Sequence, residues 1–387
     1  MVAFIYWGRR GFSRFVLEAA AATQEVGINA YFSVSKNNEC FSEFRQLGDR
    51  LFAIETFNSA ASALLGLRHI RELQRGLVAW LTERRVSLVV NLMPHVWTPF
   101  IGRALQANGI RYAAVMHDSR PHAGDPTGLI HRWLLTDAKQ ADTVVTLSGF
   151  VRNELIKSYG FQAERVRTVF LPDLTFPGAR PGTGIKVKTR DARRPLRILY
   201  FGRLMRYKGL PLFLDAMDIL AAGNVPIEIS VCGEGNLAGS AERLAKLGAV
   251  VINKWLSDAE IGQLMASHDA IVLTHTEASQ SGVISAALGA GLPVVTTPVG
   301  ALQEQVQSRG VGLVASGVDA RSVADCVRRL TLDHALYARL SARIGLSPSF
   351  SMAHFLRELL ASVDPGHNAV GFTTEPANEI ANPVAAA

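Results

Sequence analysis

Cysteine is scarce in this chain of 387 residues. The three cysteines, Cys40, Cys232 and Cys326, lie far apart and show neither metal-binding nor disulfide spacing, which points to a reducing compartment. Charged residues are also few, at 19% against 48% hydrophobic residues. A chain of this length and composition can bury two ordinary hydrophobic cores, so two domains are expected.

Long apolar runs are missing as well. No stretch approaches the roughly 20 apolar residues that a membrane-spanning helix needs. The short apolar run at 1–7 is followed, not preceded, by Arg9 and Arg10, which is the reverse of a signal peptide. We therefore expect a cytoplasmic protein whose membrane contact, where it has one, is peripheral on the inner face of the cytoplasmic membrane.

The positive charge is unevenly distributed, although the formal net charge is only +7. Residues 1–180 carry 21 Lys and Arg against 15 Asp and Glu, and residues 181–197 carry 6 against 1. The remainder carries 13 against 17. A basic first half suggests an anionic partner, such as membrane phosphates or nucleic acid, and it equally fits an ordinary basic surface.

Short β-type runs alternate with amphipathic helical segments from end to end. The helical periodicity is clear at 12–25, 60–83 and 128–139. Such alternation predicts an α/β fold with parallel sheets covered by helices on both faces. The predicted strands are 2–7, 30–34, 51–54, 88–92, 112–116, 143–147, 167–170, 198–201, 228–232, 250–252, 270–273 and 293–296.

The chain divides where periodicity stops and Pro, Gly and cations accumulate, between Pro172 and Pro195. After Pro365 the composition becomes small and polar, which is typical of disorder. The ligand is expected in the cleft between the two domains. The predicted parts are a first domain at 1–175, a linker at 176–196, a second domain at 197–347, a helix at 348–365 that packs back on the first domain, and a disordered tail at 366–387.

Two loops of the second half combine charges that suit a phosphorylated, hydroxyl-bearing ligand. The loop 202–209 (GRLMRYKG) follows one predicted strand, and 276–283 (TEASQSGV) follows another. In an open α/β sheet the carboxyl ends of the strands form the ligand-binding edge. Arg203 and Lys208 are two cations able to converge on a diphosphate without a metal. A solvated surface loop is the alternative.

The second loop offers a carboxylate and then a helix start. Backbone N–H groups at Ser281, Gly282 and Val283 would form an anion site. Glu277 would repel phosphate and is better suited to accept hydrogen bonds from sugar hydroxyls. An ordinary helix start, with Ser279 or Ser281 as the N-cap, is the alternative.

Together these pieces resemble the nucleotide-binding domain of the retaining GT-B glycosyltransferases of family four, also called group 1. The resemblance covers about 195–345, and the loop at 276–283 has the form of a subgroup with EASQSG. It implies the GT-B fold, in which two Rossmann-like parallel-sheet domains face each other across a cleft. The matching segments are 201–209, 231–235, 256–261, 276–283 and 291–300.

The resemblance also implies roles for individual residues. Arg203 and Lys208 would hold the donor diphosphate, Glu277 would contact the transferred sugar, and Gly233 would lie beside the donor. Ser281, Gly282 and Val283 would hold phosphate through their N–H groups. The family commonly has a second glutamate, eight positions after the first, that binds the nucleotide ribose. Here the corresponding positions are Ser285 and Ala286, so ribose recognition is altered or made elsewhere.

The first half resembles the acceptor domain of the same family less closely. Gly11 ends a loop that would lie under the donor phosphates, and Arg9 and Arg10 would meet an acceptor phosphate, although a strand–helix turn explains this motif equally well. His117 ends a predicted strand at the cleft and would bond the transferred sugar, a core histidine being the alternative. His122 and His131 are interpreted as ordinary loop and surface residues.

These features predict a retaining, metal-independent hexosyltransferase with no cofactor. The donor would be a UDP- or GDP-sugar, and the acceptor a glycolipid or saccharide of cell-surface or exopolysaccharide biosynthesis. Trp7, Trp97 and Trp133 would serve an interfacial patch on an anionic membrane. A nucleic-acid partner is not expected, because only net charge favours it. The alternatives are a sugar-nucleotide epimerase or phosphorylase on the same frame and a non-catalytic nucleotide-sugar-binding subunit.

Overall fold

Strands and helices alternate throughout the computed structural model, which describes residues 1–9, 11–121, 130–179, 188–191, 193–237, 239–345 and 350–364. The strands are β1 (Val2–Tyr6), β2 (Ala30–Ser35), β3 (Leu51–Ile54), β4 (Leu88–Asn91), β5 (Arg111–Met116), β6 (Thr143–Thr146), β7 (Val166–Thr168), β8 (Leu196–Phe201), β9 (Ile227–Cys232), β10 (Val250–Ile252), β11 (Ala270–Leu273), β12 (Val294–Thr296) and β13 (Gly312–Val314). The helices are α1 (Ser13–Glu25), α2 (Phe41–Phe44), α3 (Ala60–Gly66), α4 (Ile70–Glu83), α5 (Gly102–Ala107), α6 (His131–Gln140), α7 (Gly149–Tyr159), α8 (Leu210–Ala222), α9 (Ala241–Lys246), α10 (Asp258–Ser267), α11 (Gly282–Gly289), α12 (Leu302–Gln307), α13 (Ala320–Leu332), α14 (His334–Gly345) and α15 (Met352–Val363).

Among these residues the strands form two parallel sheets, which confirms the predicted α/β fold with two Rossmann-like domains. The first sheet has the order β3-β2-β1-β4-β5-β6-β7, and the second has the order β10-β9-β8-β11-β12-β13. Every predicted strand is present within two residues of its predicted ends, and β13 is an additional strand. In both sheets the strand order reverses beside the first strand of the domain, where a ligand crevice opens at the carboxyl edge.

Burial on both faces explains why the central strands are almost wholly apolar. Along β1, Phe4 and Tyr6 point into one core and Ile5 points into the other, because successive side chains of a strand alternate between the faces of its sheet. In the second domain, Tyr200 lies in one core and Leu199 in the other. Each sheet is therefore the middle layer of three.

The C-terminal helix α15 belongs to the core of the first sheet. Phe355 and Leu359 are buried there, and the Phe355 ring meets the Phe15 ring of α1 edge-on at 5.2 Å. The chain thus crosses from the second domain back to the first. The tail at 366–387 lies outside the described residues.

The cations of the segment between the domains bind the second domain itself. Arg194 Nη2 donates to Asp269 Oδ1 at 2.7 Å, and Lys188 Nζ donates to the carbonyl oxygen of Met265 near the end of α10. Burial alone would raise the pKa of Asp269, but hydrogen bonds from Arg194 and Arg197 hold that pKa at about 2. These cations therefore have a structural function.

The predicted helix at 60–83 is broken in the structure. Helix α3 ends at Gly66, a turn covers 67–69, and α4 begins at Ile70. A Cβ atom at Gly66 would lie 2.3 Å from the Trp97 ring, so the chain passes closer to that ring than any side chain allows. The periodicity continued across the break, but the contact with Trp97 sets a new direction.

Candidate functional site

The two candidate loops of the second domain lie side by side at its carboxyl edge. The Thr276 N–H donates to the Tyr207 carbonyl oxygen at 2.8 Å, and Thr274 Oγ1 donates to the Gly209 carbonyl oxygen at 2.8 Å. Gly209 has φ +72°, and a Cβ there would lie 1.9 Å from the Thr274 carbonyl oxygen. Only glycine at position 209 permits so close a contact between the two loops. This contact brings Lys208 next to the second loop.

Lys208 is buried at this edge with an imidazole as its neighbour. Its Nζ lies 3.3 Å from His275 Nε2, and Tyr200 OH donates to the Lys208 carbonyl oxygen at 2.8 Å. Burial and, after it, the nearby positive charge of Arg203 lower the pKa of Lys208 to about 8, against the opposing effect of the Asp118 charge. A buried ammonium held by a neutral ring retains its capacity to bind an anion.

Arg203 and Glu277 lie exposed at the rim of the same edge, in their respective loops. Arg203 is close enough to act on the charge of Lys208. Gly202 has φ +119°, and a Cβ there would meet Lys208 Nζ at 3.4 Å. Gly233 has φ +137° and lies against the Gly202 carbonyl oxygen. Packing between these strand ends therefore requires glycine at position 233.

Helix α11 begins in the second loop, with Ser281 as its N-cap. The Ser281 N–H donates to Gln305 Oε1 at 2.9 Å. Of the three N–H groups predicted to hold phosphate, this one has a side-chain acceptor. Gly282 and Val283 lie in the first turn, where N–H groups have no acceptor within a helix. Ser281 Oγ is buried, with no hydrogen-bond partner among the described residues.

His117 connects the first domain to the second loop. Its Nε2 lies 2.7 Å from the Leu92 carbonyl oxygen, which can only accept, so the ring proton is on Nε2. Its Nδ1 can therefore accept from Gln280 Nε2, 3.5 Å away in the second domain. Burial lowers the pKa of His117, so the ring is neutral.

Two further contacts join the domains beside this loop. Ser148 Oγ donates to the Ser279 carbonyl oxygen at 3.2 Å. The Gly149 N–H, at the start of α7, donates to both carboxylate oxygens of Glu304 at 3.1 Å. A carboxylate on α12 thus caps a helix of the other domain, where the positive end of the helix dipole favours it.

The loop after β1 is only partly described. Gly11 has φ +56° and lies exposed, and Arg9 Nη1 donates to Asn58 Oδ1 at 2.7 Å. Arg10 lies outside the described residues. His95 is close by, and burial together with the charge of Arg9 lowers the pKa of His95 to about 3. Arg9 and His95 thus stand at the first domain's side of the cleft.

Both positions that correspond to the missing glutamate are buried. Ser285 is 1% exposed, and its carbonyl oxygen accepts the Leu174 N–H at 3.0 Å from the segment that joins the domains. Ala286 is 3% exposed and lies in the core. A glutamate side chain at either position would be buried against the protein.

The expected tryptophan patch is wrong for two of its three members. Trp7 is 1% exposed and Trp97 is 5% exposed, and both pack into the core of the first domain. Trp133 is 36% exposed. Both rings pack against apolar neighbours, and burial leaves no N–H unsatisfied, because Trp7 Nε1 donates to Ser33 Oγ and Trp97 Nε1 to the Ala63 carbonyl oxygen.

Two further expectations concern histidines. His131 is half-buried, and its Nε2 lies 2.8 Å from the Ser119 carbonyl oxygen, which makes it a structural residue of α6. His122 lies outside the described residues. His275, Gln280, Glu304 and Gln305 were not predicted as site residues. Gln280 lies in the predicted loop and His275 lies directly before it, so both could have been included, whereas nothing local marks the two residues of α12.

Two family models match the chain, one in each domain. Residues 10–171 match the model described as Glycosyltransferase Family 4, and residues 195–333 match Glycosyl transferases group 1. The D-inositol 3-phosphate glycosyltransferase of Paenarthrobacter aurescens is 27% identical over 197 residues, which cover 46% of this chain and 46% of that protein. The amylovoran biosynthesis glycosyltransferase AmsK of Erwinia amylovora is 27% identical over 239 residues, covering 57% and 55%. The chain spans about half the length of the curated relatives it matches.

Among solved structures, HepE of Anabaena in complex with UDP-glucose is similar over 94% of this chain and 99% of that one. The TM-score is 0.67 at 16% sequence identity, so the likeness concerns the fold. Two parallel-sheet domains that meet at their carboxyl edges place this chain in the class of GT-B proteins. The family matches and curated relatives support its assignment to the glycosyltransferases of family 4 and group 1.

Proposed function

We propose that this chain is a retaining, metal-independent hexosyltransferase that uses a UDP- or GDP-sugar. Its acceptor is a hydroxyl of a lipid-linked or polysaccharide intermediate in cell-surface or exopolysaccharide biosynthesis. The family matches in both domains support glycosyl transfer, and one curated relative is named for amylovoran biosynthesis. One observation carries the proposal: Lys208 is a buried cation at the cleft that contacts the His275 ring, and its pKa stays lowered although the charge of Asp118 acts on it.

The diphosphate of the donor supplies a stronger counter-charge for Lys208 than Asp118 does. As the glycosidic bond breaks, negative charge grows on the leaving diphosphate. Lys208 and Arg203 stabilise the transition state, in which this charge develops, more strongly than they stabilise the ground state. This difference accelerates the reaction. The first turn of α11, with Gly282 and Val283, adds N–H groups and the positive end of a helix dipole.

Two side-chain amides stand where the substrate would bind. Gln305 Oε1 accepts from the Ser281 N–H as a phosphate oxygen would, and Gln280 donates to His117 Nδ1 as a sugar hydroxyl would. Both contacts are replaced when the donor enters. Ser281 Oγ and Gln280 Oε1, which are buried without partners among the described residues, then gain polar neighbours. These amides also supply polar contacts for the nucleotide in place of a second glutamate.

Transfer proceeds on one face of the sugar. Glu277, exposed at the rim, accepts hydrogen bonds from the hydroxyls of the transferred hexose. The leaving diphosphate takes the proton of the acceptor hydroxyl as that oxygen bonds to the anomeric carbon. The acceptor enters from the first domain, beside Arg9. The acceptor oxygen attacks the same face of the sugar from which the diphosphate departs. The anomeric configuration is therefore retained.

Donor binding is the first test. The melting temperature is measured with UDP-, GDP-, TDP- and ADP-sugars in the presence of EDTA, since a ligand that binds only the folded state raises it. Lys208→Met should abolish the shift, and Lys246→Met, which removes an exposed lysine from α9 of the same domain, should keep it. An undiminished shift in Lys208→Met, or a shift that needs a divalent metal, contradicts the proposal.

Product analysis separates transfer from the alternatives. A retaining transferase releases nucleoside diphosphate in equal amount with a product whose anomeric configuration matches the donor. An epimerase would leave the nucleotide attached to a changed sugar. A non-catalytic subunit would bind the donor and release nothing. Removing either diphosphate cation should lower turnover by a factor on the order of 10²–10³.

A further inference from the structure

An exposed apolar pair stands on the first domain beside the cleft. Leu64 is 70% exposed and Leu65 is 61% exposed, at consecutive positions of α3. Burial of a leucine side chain is favourable, so two neighbouring leucines exposed to water indicate a surface that binds a partner.

The backbone of α3 is held in the orientation that exposes them. The Ala63 carbonyl oxygen accepts from Trp97 Nε1 at 3.2 Å, and Gly66 lies directly against the Trp97 ring. Ser59 caps the helix, accepting from the Ser62 N–H at 3.2 Å. With positions 63 and 66 fixed on the tryptophan, the two residues between them point outward.

Positive charge flanks the pair. Arg68, Arg71 and Arg75 are exposed on the following turn and on α4, and within the described parts of the chain none of them pairs with a carboxylate. The nearby Glu72 lies 3.5 Å from His69 Nδ1. The three guanidinium groups therefore stay available to external anions.

An exposed tryptophan, Trp133, lies on α6 of the same domain. Trp133 Nε1 donates to the Val96 carbonyl oxygen at 2.8 Å, adjacent to Trp97, and its ring lies 5.0 Å from that of Phe100. The Phe100 carbonyl oxygen in turn accepts from Gln74 of α4. Trp133 is thus connected through these contacts to both α3 and α4.

From this arrangement we propose that Leu64, Leu65 and Trp133, with Arg68, Arg71 and Arg75, form a docking surface for an anionic lipid bilayer. Leucines that enter the acyl boundary, a tryptophan at headgroup level and arginines that meet lipid phosphates are the combination that holds a protein on such a surface. The surface adjoins the cleft, because the loop before α3 carries Phe57, whose ring stacks on His95 at 5.1 Å. The proposal rests on the proposed function in one respect only, that a lipid-linked acceptor would reach the cleft from this side.

Vesicle flotation of the full chain tests the surface without donor or acceptor. We expect binding to phosphatidylglycerol vesicles at low salt, little binding to phosphatidylcholine vesicles, and release as salt screens the arginines. Leu64→Ser with Leu65→Ser should weaken binding at least about tenfold. Arg68→Gln, Arg71→Gln and Arg75→Gln together should weaken it on the order of 10²-fold.

Matched controls come from the second domain. Val250 and Val251 are also adjacent and exposed, at 59% and 40%, and their change to serine should leave binding intact. Changing Arg321, Arg329 and Arg339 to glutamine removes the same net charge from α13 and α14 and should have a small effect. Binding that is unchanged in the leucine or arginine variants, or no binding of the native chain to anionic vesicles, overturns the proposal.

Two further measurements distinguish bilayer docking from failure of the proposed function and from binding of a second copy. The donor-induced melting shift should be the same in the leucine variant and the native chain, so loss of that shift everywhere would count against the proposed function and not against the surface. Sedimentation velocity asks whether the pair binds a second copy instead. A native dimer that becomes monomeric in the leucine variant would overturn the bilayer as its partner.

Discussion

Lys208 Nζ lies 3.3 Å from His275 Nε2, so the buried cation of this site is held by a hydrogen-bond acceptor that carries no charge. A carboxylate at that place would neutralise the ammonium before any ligand arrived. The Thr297 hydroxyl donates to the His275 carbonyl oxygen at 2.6 Å and ties its backbone to the end of β12. His275 is in this sense a positioning residue.

Substitution of His275 tests whether this position must be uncharged. His275→Glu places a carboxylate beside Lys208 and should raise the KM for the donor about tenfold or more, because the diphosphate must displace an ion pair. His275→Asn keeps a neutral acceptor and should change that KM little. Steady-state kinetics with both variants, alongside their melting temperatures, make the measurement. Equal KM values for the two variants would show that charge at this position is irrelevant.

Donor binding should weaken above pH 8. The pKa of Lys208 is lowered from 10.5 to about 8, chiefly by burial, so the side chain loses its charge as the pH rises through that value. Binding a diphosphate then requires uptake of a proton, and Kd should increase about tenfold per pH unit above the pKa. The same depressed pKa makes the fold more stable as pH rises from 8 to 10.5, since the unfolded chain binds more protons there.

Isothermal titration calorimetry at pH 7, 8 and 9 measures this dependence. Lys208→Met should bind the donor weakly with little slope over that range. An equal slope in the native chain and in Lys208→Met would assign the titration to another group.

The contact of Glu304 with α7 should contribute to stability and to the arrangement of the domains. Glu304→Ala leaves the Gly149 N–H without its acceptor, which should lower the free energy of unfolding by about 1 kcal/mol. It should also widen the domain arrangement seen by small-angle scattering. Gln303→Ala is the control, because Gln303 is exposed and bonds Gln307 within its own helix. Indistinguishable scattering and stability for the two variants would contradict a cap between domains.

Two glycines of the first domain should respond in opposite directions to alanine. At Gly66 a Cβ would lie 2.3 Å from the Trp97 ring, so Gly66→Ala should cost about 1–3 kcal/mol of stability. At Gly76, inside α4, the nearest atom would be 3.8 Å away in Phe52, and Gly76→Ala should stabilise by up to about 1 kcal/mol. Chemical denaturation of both variants gives the comparison, and a neutral Gly66→Ala would remove the stated reason for the break in 60–83.

Much of the fold was readable from local pattern. The strands β8 and β11 appear as short apolar runs, and each is followed by a loop and a helical segment, so their order along the chain implies parallel pairing. Arg203, Lys208 and Glu277 could be assigned to one edge for that reason alone. The burial of Lys208 could not, because it depends on the 1.9 Å approach that Gly209 permits to the other loop.

Residue type alone does not predict which tryptophans and leucines are exposed. Trp7 and Trp97 were predicted to be interfacial by residue type, yet both are buried in the core, where Ser33 and Ala63 accept from their N–H groups. Leu64 and Leu65 are apolar, yet they are exposed. Residue type states what a side chain prefers, and the partners available in space decide whether it is satisfied.

The sequence by itself determined the two α/β domains and the edge of the second sheet where the charged loops meet, since periodicity and chain order are local properties. Only the tertiary structure decided which groups complete the site. His117 and Gln280 are separated by 163 positions and belong to different domains, and Gln305 reaches Ser281 from a neighbouring helix. Such contacts depend on how two packed domains and their helices lie against each other, and no spacing within a loop encodes that placement.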